Sequence, residues 1–406
     1  MRIAVYHNLT SGGAKRALNE QMKRLQDRHT FDVYTLESAD HEFADIRQFA
    51  ASYKIYPFNP LPLFESPFGR LNQAVRLLDL RRLRKLTRRI GAEIESEDYD
   101  VVYVNPCQFE NAPGVIRSLR RSPAVFYCQE PLRIAYETMP RRPYDPDSTR
   151  RRRLINRIDP LPGLYRSALR RADRLNLLDA DLVLVNSEFI RDAVRRIYKA
   201  EAQVSYLGVD TGQFRPLGLE KLDMVLSVGS LTPLKGFDFL IVSLAEIPES
   251  ERPPLVIASN FQNPAEKAYL EALAGQKKVA VRLIGNVSEE RLVELYNQAR
   301  LTVYAPVREP FGFVSLESMA CGTPVIAVRE GGIQETVLHE QTGILVDRDP
   351  QLFAEAICTL FADPSKARHF GKMGQEHVTR RWTWERSVDI LEGYLSSAAQ
   401  TRSIAG

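Results

Sequence analysis

The sequence predicts an α/β protein built from two doubly wound, Rossmann-like domains. Three observations carry that expectation. The chain has 406 residues, about twice what one hydrophobic core organises. Short apolar runs alternate with amphipathic stretches through both halves, the rhythm of a parallel sheet covered by helices. Between the halves, in YLGVDTGQFRPLG at 206–218, glycine and proline cluster and the rhythm restarts.

In chain order, RIAVYHN is the first buried strand and a helix follows near 14–28. FDVYTL, DVVYVNP and AVFYCQE continue the sheet, and LVLVNSEFI reads as a strand running into a helix. The second set begins at MVLSVGS and runs through PLVIASN, VAVRLIG, LTVYAPV, TPVIAV and GILVD, with room for a helix between strands. The domains are expected at 1–208 and 209–375. A C-terminal helix over 376–406, with Trp382 and Trp384 near its start, is open to packing back on the N-terminal domain. The stretch 141–174 is punctuated by proline and crowded with arginine, including four in a row at 150–153, so it reads as partly helical or functional.

Composition excludes several classes. With 44% hydrophobic and 26% charged residues the chain has the make-up of a folded globular protein, not a disordered one. No run approaches the roughly 18 uncharged apolar residues of a membrane span, and the first residues read directly as a strand, so a cytoplasmic protein is expected. Cys107, Cys128, Cys321 and Cys358 are scattered without metal-site or disulfide spacing. The net charge of +4 hides an asymmetry. Residues 1–200 hold 35 Lys+Arg against 25 Asp+Glu, and the remainder holds 20 against 26. Arg76, Arg81, Arg82, Arg84, Lys85, Arg88 and Arg89 interleave with leucines as an amphipathic cationic helix, suited to peripheral contact with an anionic membrane or to a solvated surface. No nucleic-acid motif accompanies that charge, and nucleic acid is not expected as a partner.

The densest local signal is EPFGFVSLESMACGTPVIA, from Glu309 to Ala327. It follows a strand and opens a helix near Gly312, so backbone N–H groups at the helix start face an anion or an oxygen-rich ligand. Glu309 lies before the helix and Glu317 on its early turns, so two carboxylates can grip hydroxyls of one ligand at different points.

This spacing, with GGIQETV, TGILVDRDP, VGSLTPLKGFD and the glycine loop of NLTSGGAKR, resembles the retaining glycosyltransferases of family 4, the large group that includes bacterial mannosyltransferases and sucrose synthases. The resemblance implies the GT-B fold, with two Rossmann-like domains facing across a cleft. It implies a nucleotide-diphosphate sugar as donor, held by the second domain, and a glycan or lipid-linked hydroxyl as acceptor, received by the first. Glu309 would meet donor-sugar hydroxyls, and the backbone at Phe311, Gly312, Phe313 and Val314 would touch sugar and diphosphate. Glu317 would take the ribose and Lys235 the diphosphate, with Gly12, Gly13 and Ser230 also on the donor. Lys235 and the helix dipole would neutralise the leaving group without a metal, so no cofactor is expected.

Two positions depart from the family. Ser230 stands where many relatives carry an arginine, and a hydroxyl cannot replace that charge. Gln129 stands where relatives commonly carry a histidine, and glutamine keeps a hydrogen bond but accepts no proton at neutral pH. The competing class is therefore a non-catalytic sugar-nucleotide-binding subunit. His7, at the end of the first strand, is open between ligand contact and a satisfied structural role, while Glu130 reads as holding the Gln129 loop. Asp145-x-Asp147, Asp179-x-Asp181 and Asp347-x-Asp349 match a metal-diphosphate pattern of another fold and are expected to be incidental.

Overall fold

The computed structural model describes residues 1–65, 71–145 and 159–403. The arginines at 150–153 and Asp147 lie outside the described residues. The chain divides into two compact units, one of Met1–Thr138, Asp147–Tyr206 and Ser387–Gly406, the other of Met139–Pro146 and Leu207–Arg386.

The first unit is built on a seven-stranded sheet of β1 (Arg2–Asn8), β2 (Thr30–Leu36), β3 (Ser52–Tyr56), β4 (Val101–Cys107), β5 (Ala124–Cys128), β6 (Leu182–Val185) and β7 (Gln203–Val204). The order is β3-β2-β1-β4-β5-β6-β7 and every pairing is parallel. The central strands are buried on both faces, which is why they read as unbroken apolar runs. The edge strands β3 and β7 carry no such run. β3 is mostly half-buried and β7 is two residues long, so neither stands out in the sequence. One face of this sheet holds Ala4, Tyr6, Tyr34, Val102, Val104 and Phe126 in a single apolar cluster. The helix Gly13–Leu25 buries Ala17, Leu18, Met22 and Leu25.

The second unit repeats the plan with β8 (Leu222–Val228), β9 (Leu255–Ala258), β10 (Val281–Ile284), β11 (Ala299–Tyr304), β12 (Val325–Val328) and β13 (Gly343–Val346). Their order is β10-β9-β8-β11-β12-β13, again parallel throughout. A second apolar cluster, including Val225, Ile257, Leu301, Val303, Ile326 and Phe353, forms its core.

The expected single C-terminal helix over 376–406 is two helices, Pro364–Arg381 and Trp384–Ser403. The break comes from backbone pairing. The N–H of Val209 donates to the carbonyl of Trp382 at 2.8 Å and Val209 bridges Thr383, so the Trp382 carbonyl is taken by another segment and not by a further helical turn. The second of these helices begins in one unit and ends in the other. Within the first unit its Glu392 accepts from His29 at 2.8 Å, and Ser387 donates to the carbonyl of Tyr206 at 2.6 Å.

The cationic helix spans Asn72–Glu95 and buries Val75, Leu83, Ile90 and Ile94. Two of the arginines assigned to its surface have a structural task. Asp79 is 7% exposed, and it pairs with Arg76 at 3.0 Å and Arg82 at 2.8 Å while accepting from the N–H of Leu61. Arg81, Arg84, Lys85, Arg88 and Arg89 remain exposed along the outer face.

Beneath the apolar face of the first sheet lie two carboxyl groups. Glu110 accepts from the N–H of Gly114 at 2.6 Å, and Asp173 accepts from the N–H of Ala112 at 3.0 Å and the hydroxyl of Tyr198 at 2.6 Å. Together they hold the loop after β4. Burial pushes Glu110 up to about 7 and Asp173 up to about 6, and Asp173 adds to the rise at Glu110. A carboxyl group whose folded pKa lies above its unfolded value stabilises the fold below the unfolded pKa, and that stability is lost as pH rises through the folded pKa. Glu110→Gln should therefore gain on the parent protein between about pH 4.5 and 7, by up to a few kcal/mol at about 1.4 kcal/mol per pKa unit, and level off above. Chemical denaturation at pH 5, 6, 7 and 8 measures this; a pH-independent difference contradicts it.

Candidate functional site

The order of the second sheet reverses between β8 and β11, so the chain leaves these neighbours in opposite directions. Crevices at such points are where open α/β sheets bind ligands. The loop after β8 ends in the short 3-10 turn Pro233–Lys235, and the loop after β11 carries Glu309. Lys235 Nζ lies 2.9 Å from Glu309 Oε2, both side chains being about one-fifth exposed. The two loops touch because position 236 is glycine. Gly236 sits at φ 66°, and a Cβ there would fall 2.0 Å from the carbonyl oxygen of Ala305. The N–H of Val307 donates to the carbonyl of Leu234 at 2.8 Å and closes the contact. Glu309 is held from behind by the glycine pair of GGIQETV. A Cβ on Gly331 would lie 2.3 Å from the Glu309 carbonyl oxygen, which accepts from the N–H of Gly332 at 2.8 Å.

The helix Phe313–Ala320 starts beside this pair, with Gly312 at φ 99° as its N-cap and no side-chain cap. Its first amides, on Phe313 and Val314, therefore gain no capping oxygen. The phenyl rings point elsewhere: Phe311 packs on Phe313 and Trp382 at 5.3 and 5.7 Å, and Phe313 on Trp384 at 6.1 Å. These aromatic contacts fix the loop that presents the amides. Glu317 is 3% exposed, and its Oε2 accepts from the hydroxyl of Tyr296 at 2.8 Å. Burial and the neighbouring carboxylate push the Tyr296 phenol well above its usual range, so it stays a donor. Ser230 is half-buried in the loop after β8. One strand further along, Ser259, Asn260, Gln262, Lys267, Gly285 and Asn286 line a polar pocket of about 470 Å³ at the ends of β9 and β10.

The remaining sequence-predicted residues lie in the first unit. Gly12 is the N-cap of the helix Gly13–Leu25 at φ 146°, and a Cβ there would meet nothing within 4 Å. Gln129 is 8% exposed, and its Oε1 accepts from Asn186 Nδ2 at 3.1 Å. Glu130 accepts from Arg133 at 2.6 Å. His7 is fully buried. Its Nδ1 accepts from the N–H of Leu9 at 3.4 Å, whereas Nε2 has no partner, so it is not the satisfied histidine of a purely structural reading. The aspartates of the metal-like patterns have local work. Asp349 caps the helix Pro350–Ala362, Asp179 pairs with Arg117 at 3.0 Å, and Asp145 accepts from the N–H of Arg142 at 2.6 Å.

Sequence reasoning missed Tyr296, Asn186 and the aromatic seat of Trp382 and Trp384, none of which sits in a local pattern. It also missed Arg142. This side chain is buried within the second unit against Glu266, at 3.0 Å, and Asp238, at 2.8 Å. Lys15 carried a signal: it falls with Leu18, Met22 and Leu25 on the buried stripe of its helix.

Comparison with known proteins agrees with this geometry. Residues 11–213 match the family described as Glycosyltransferase Family 4, and residues 211–377 match glycosyl transferases group 1. Among curated relatives, D-inositol 3-phosphate glycosyltransferase of Segniliparus rotundus is 30% identical over 245 residues, 56% of this chain and 54% of that protein. Human alpha-1,3/1,6-mannosyltransferase is 26% identical over 330 residues, 75% of this chain and 74% of that protein. The chain spans about half the length of the first of these relatives. Among solved structures, sucrose-phosphate synthase from Thermosynechococcus elongatus superposes with a TM-score of 0.71 at 23% identity over 97% of this chain and 98% of that one. Anabaena HepE in complex with UDP and glucose gives 0.71 at 20% identity over 98% and 100%. The chain belongs to glycosyltransferase family 4 and has its GT-B fold of two Rossmann-like units.

Proposed function

We propose that this protein transfers a hexose from a nucleotide-diphosphate sugar to a hydroxyl of a glycan or lipid-linked acceptor, with retention of anomeric configuration. The observation that carries the proposal is the Lys235–Glu309 pair beside the uncapped start of the helix Phe313–Ala320. The diphosphate takes Lys235 and the amides of Phe313 and Val314, the sugar hydroxyls take Glu309, and the ribose takes Glu317 as oriented by Tyr296. The base lies toward the polar pocket at the ends of β9 and β10. HepE, a structural neighbour, was solved with UDP and glucose.

In the transfer step the bond from the sugar C1 to the diphosphate oxygen breaks while the acceptor oxygen bonds C1 from the same face. The acceptor proton passes to the departing phosphate oxygen, so no protein base is required and Gln129 serves as a hydrogen-bonding group. Negative charge grows on the leaving diphosphate. A fixed ammonium and a helix N-terminus stabilise it without reorganising at the moment of reaction. The departures at Gln129 and Ser230 favour one second reading, a sugar-nucleotide-binding subunit without activity of its own. Slow donor hydrolysis by the purified protein separates the two.

The exposed cations of the helix Asn72–Glu95 support a membrane-side acceptor. Leu71, Leu78, Arg81, Lys85 and Arg88 follow one another at helical spacing on the outer face, and Phe64, 49% exposed, is tied beside the helix start by two hydrogen bonds with Asn72. Apolar side chains next to cations suit the interface of an anionic bilayer, where each Lys or Arg contributes about 1 kcal/mol. Among the described residues no helix is long and apolar enough to cross a membrane.

Three outcomes are expected. Lys235→Ala should weaken nucleotide-diphosphate affinity by about 1.5–3 kcal/mol, the value of a charge-assisted hydrogen bond. Glu309→Gln should leave that affinity equal or tighter, since it frees Lys235, while lowering turnover. Unchanged affinity and turnover in Lys235→Ala would falsify the site.

Transfer should survive exhaustive chelation, because Lys235 and the helix start supply the positive potential. Loss with EDTA and recovery with magnesium or manganese would show that a metal performs that task.

The protein should bind phosphatidylglycerol vesicles more than neutral ones, with binding falling as salt shortens the screening length from about 10 Å at 0.1 M to about 3 Å at 1 M. Glutamine at Arg81, Arg84, Lys85, Arg88 and Arg89 should reduce binding, whereas Arg82 is best left intact for Asp79. Equal binding to both vesicle types returns these arginines to a solvated surface.

A further inference from the structure

The turn that presents Lys235 stands on a glycine joint and over a cavity. Gly236, at φ 66°, links the turn Pro233–Lys235 to the helix Phe237–Ala245, and that helix has no side-chain cap at its start. A glycine leaves such a joint free to swing unless both of its sides are tied. On one side the N–H of Val307 holds the carbonyl of Leu234 at 2.8 Å. Pro233, Gly236, Asp238 and Val307 also line a cavity of about 370 Å³, so close packing does not support the turn from that direction.

Arg142 lines the same cavity and supplies the second tie. Its Nη1 donates to Asp238 Oδ2 at 2.8 Å, in the first turn of the helix that follows Gly236. Its Nε and Nη2 each donate to Glu266 at 3.0 Å, in the first turn of the helix Pro264–Lys277. One guanidinium therefore links the starts of two helices, a bridge that needs a planar group with donors in several directions. The Glu266 end is fixed: its side chain is fully buried and also accepts from the hydroxyl of Tyr144, and the ring of Tyr269 lies 5.0 Å from the guanidinium. Asp238, with a side chain 27% exposed, is the looser end that the bridge holds. Arg142 reaches this place on a strap, since its segment belongs to the second unit while the chain on either side belongs to the first.

We propose that Arg142 is a positioning residue for the donor: by tying Asp238 to the fixed carboxylate of Glu266, it sets the helix after Gly236 and so the place at which Lys235 meets a diphosphate. The inference rests on the donor reading above and adds to it a residue that touches no ligand. A lysine on a swinging turn must be ordered when the ligand arrives. One held on both sides of Gly236 is ordered beforehand, and more of its charge-assisted bond appears as affinity.

Calorimetry tests it in two variants, with whichever of UDP, GDP and ADP the parent protein binds. Asp238→Ala cuts the tie and leaves Arg142 paired with Glu266. Removing a negative charge near a phosphate site tightens binding where charge alone acts, so a loss of about fivefold has the opposite sign to the electrostatic effect. Arg142→Met/Glu266→Gln removes one positive and one negative charge together, strands no buried carboxylate, and should lose affinity by a similar factor. With alanine at 235 neither variant should lose more, because the tie acts through Lys235. A general loosening of the unit would cost the same factor whichever residue stands there. Unchanged or tighter binding in either variant overturns the proposal, and so does an undiminished loss with alanine at 235. Normal binding by Lys235→Ala itself, or no binding of any of the three nucleotides by the parent protein, is a different result: it ends the donor reading and this inference with it.

Discussion

The contact between the loops leaving β8 and β11 is the constraint on which the candidate donor site depends. Neighbouring parallel strands at a reversal of sheet order send their chains apart, and such loops separate unless something holds them. Here Gly236 lets the backbone reach Ala305, Val307 donates to Leu234, and Lys235 then stands opposite Glu309. A side chain at 236 would separate the loops and with them the lysine and the carboxylate. The helix Phe313–Ala320 starts from the same loop, so its first amides inherit their position from that one close approach.

In the proposed function the carboxylate of this pair has two tasks separated in time. In the free protein it neutralises Lys235 and keeps a part-buried ammonium from standing alone, which would be costly. In that proposal a diphosphate, with more charge than one carboxylate, would compete for the lysine and leave Glu309 to hydroxyl groups. Such a change from ion pair to ligand site would need little rearrangement of either loop. The oxygen of Glu317 toward Tyr296 is fixed in a different way, by a neutral donor that competes for nothing.

Most of the architecture was legible because buried parallel strands leave unbroken apolar runs. RIAVYHN, DVVYVNP and LTVYAPV are such runs, and each is a central strand. β3 was not legible, since an edge strand buries little and needs no apolar run. The helix break at Trp382 was also hidden, because its cause is pairing with Val209, more than 170 residues away in sequence. At the site, Glu309, Glu317 and Lys235 stood out because short loops and one helix turn carry them at fixed spacing. Tyr296 and Asn186 act across the fold and leave no local trace. The cationic helix was read correctly as amphipathic, but Arg76 and Arg82 could not be separated from their neighbours without seeing that Asp79 is buried.

Two buried cations show how the same physical problem is solved in opposite ways. Arg142 enters the second unit with its guanidinium almost inaccessible, and Glu266 and Asp238 meet it along several N–H directions, with the ring of Tyr269 at 5.0 Å. Each of its three nitrogens meets a carboxylate, so its charge is paired in place and it fixes the segment 139–145. Lys15 is as deeply buried and has none of these partners. Stability alone would favour methionine at that position, which fills similar space without a charge. Among the described residues no carboxylate pairs with Lys15, and burial brings its pKa down to about 8, so it gives up its proton more readily than an exposed lysine.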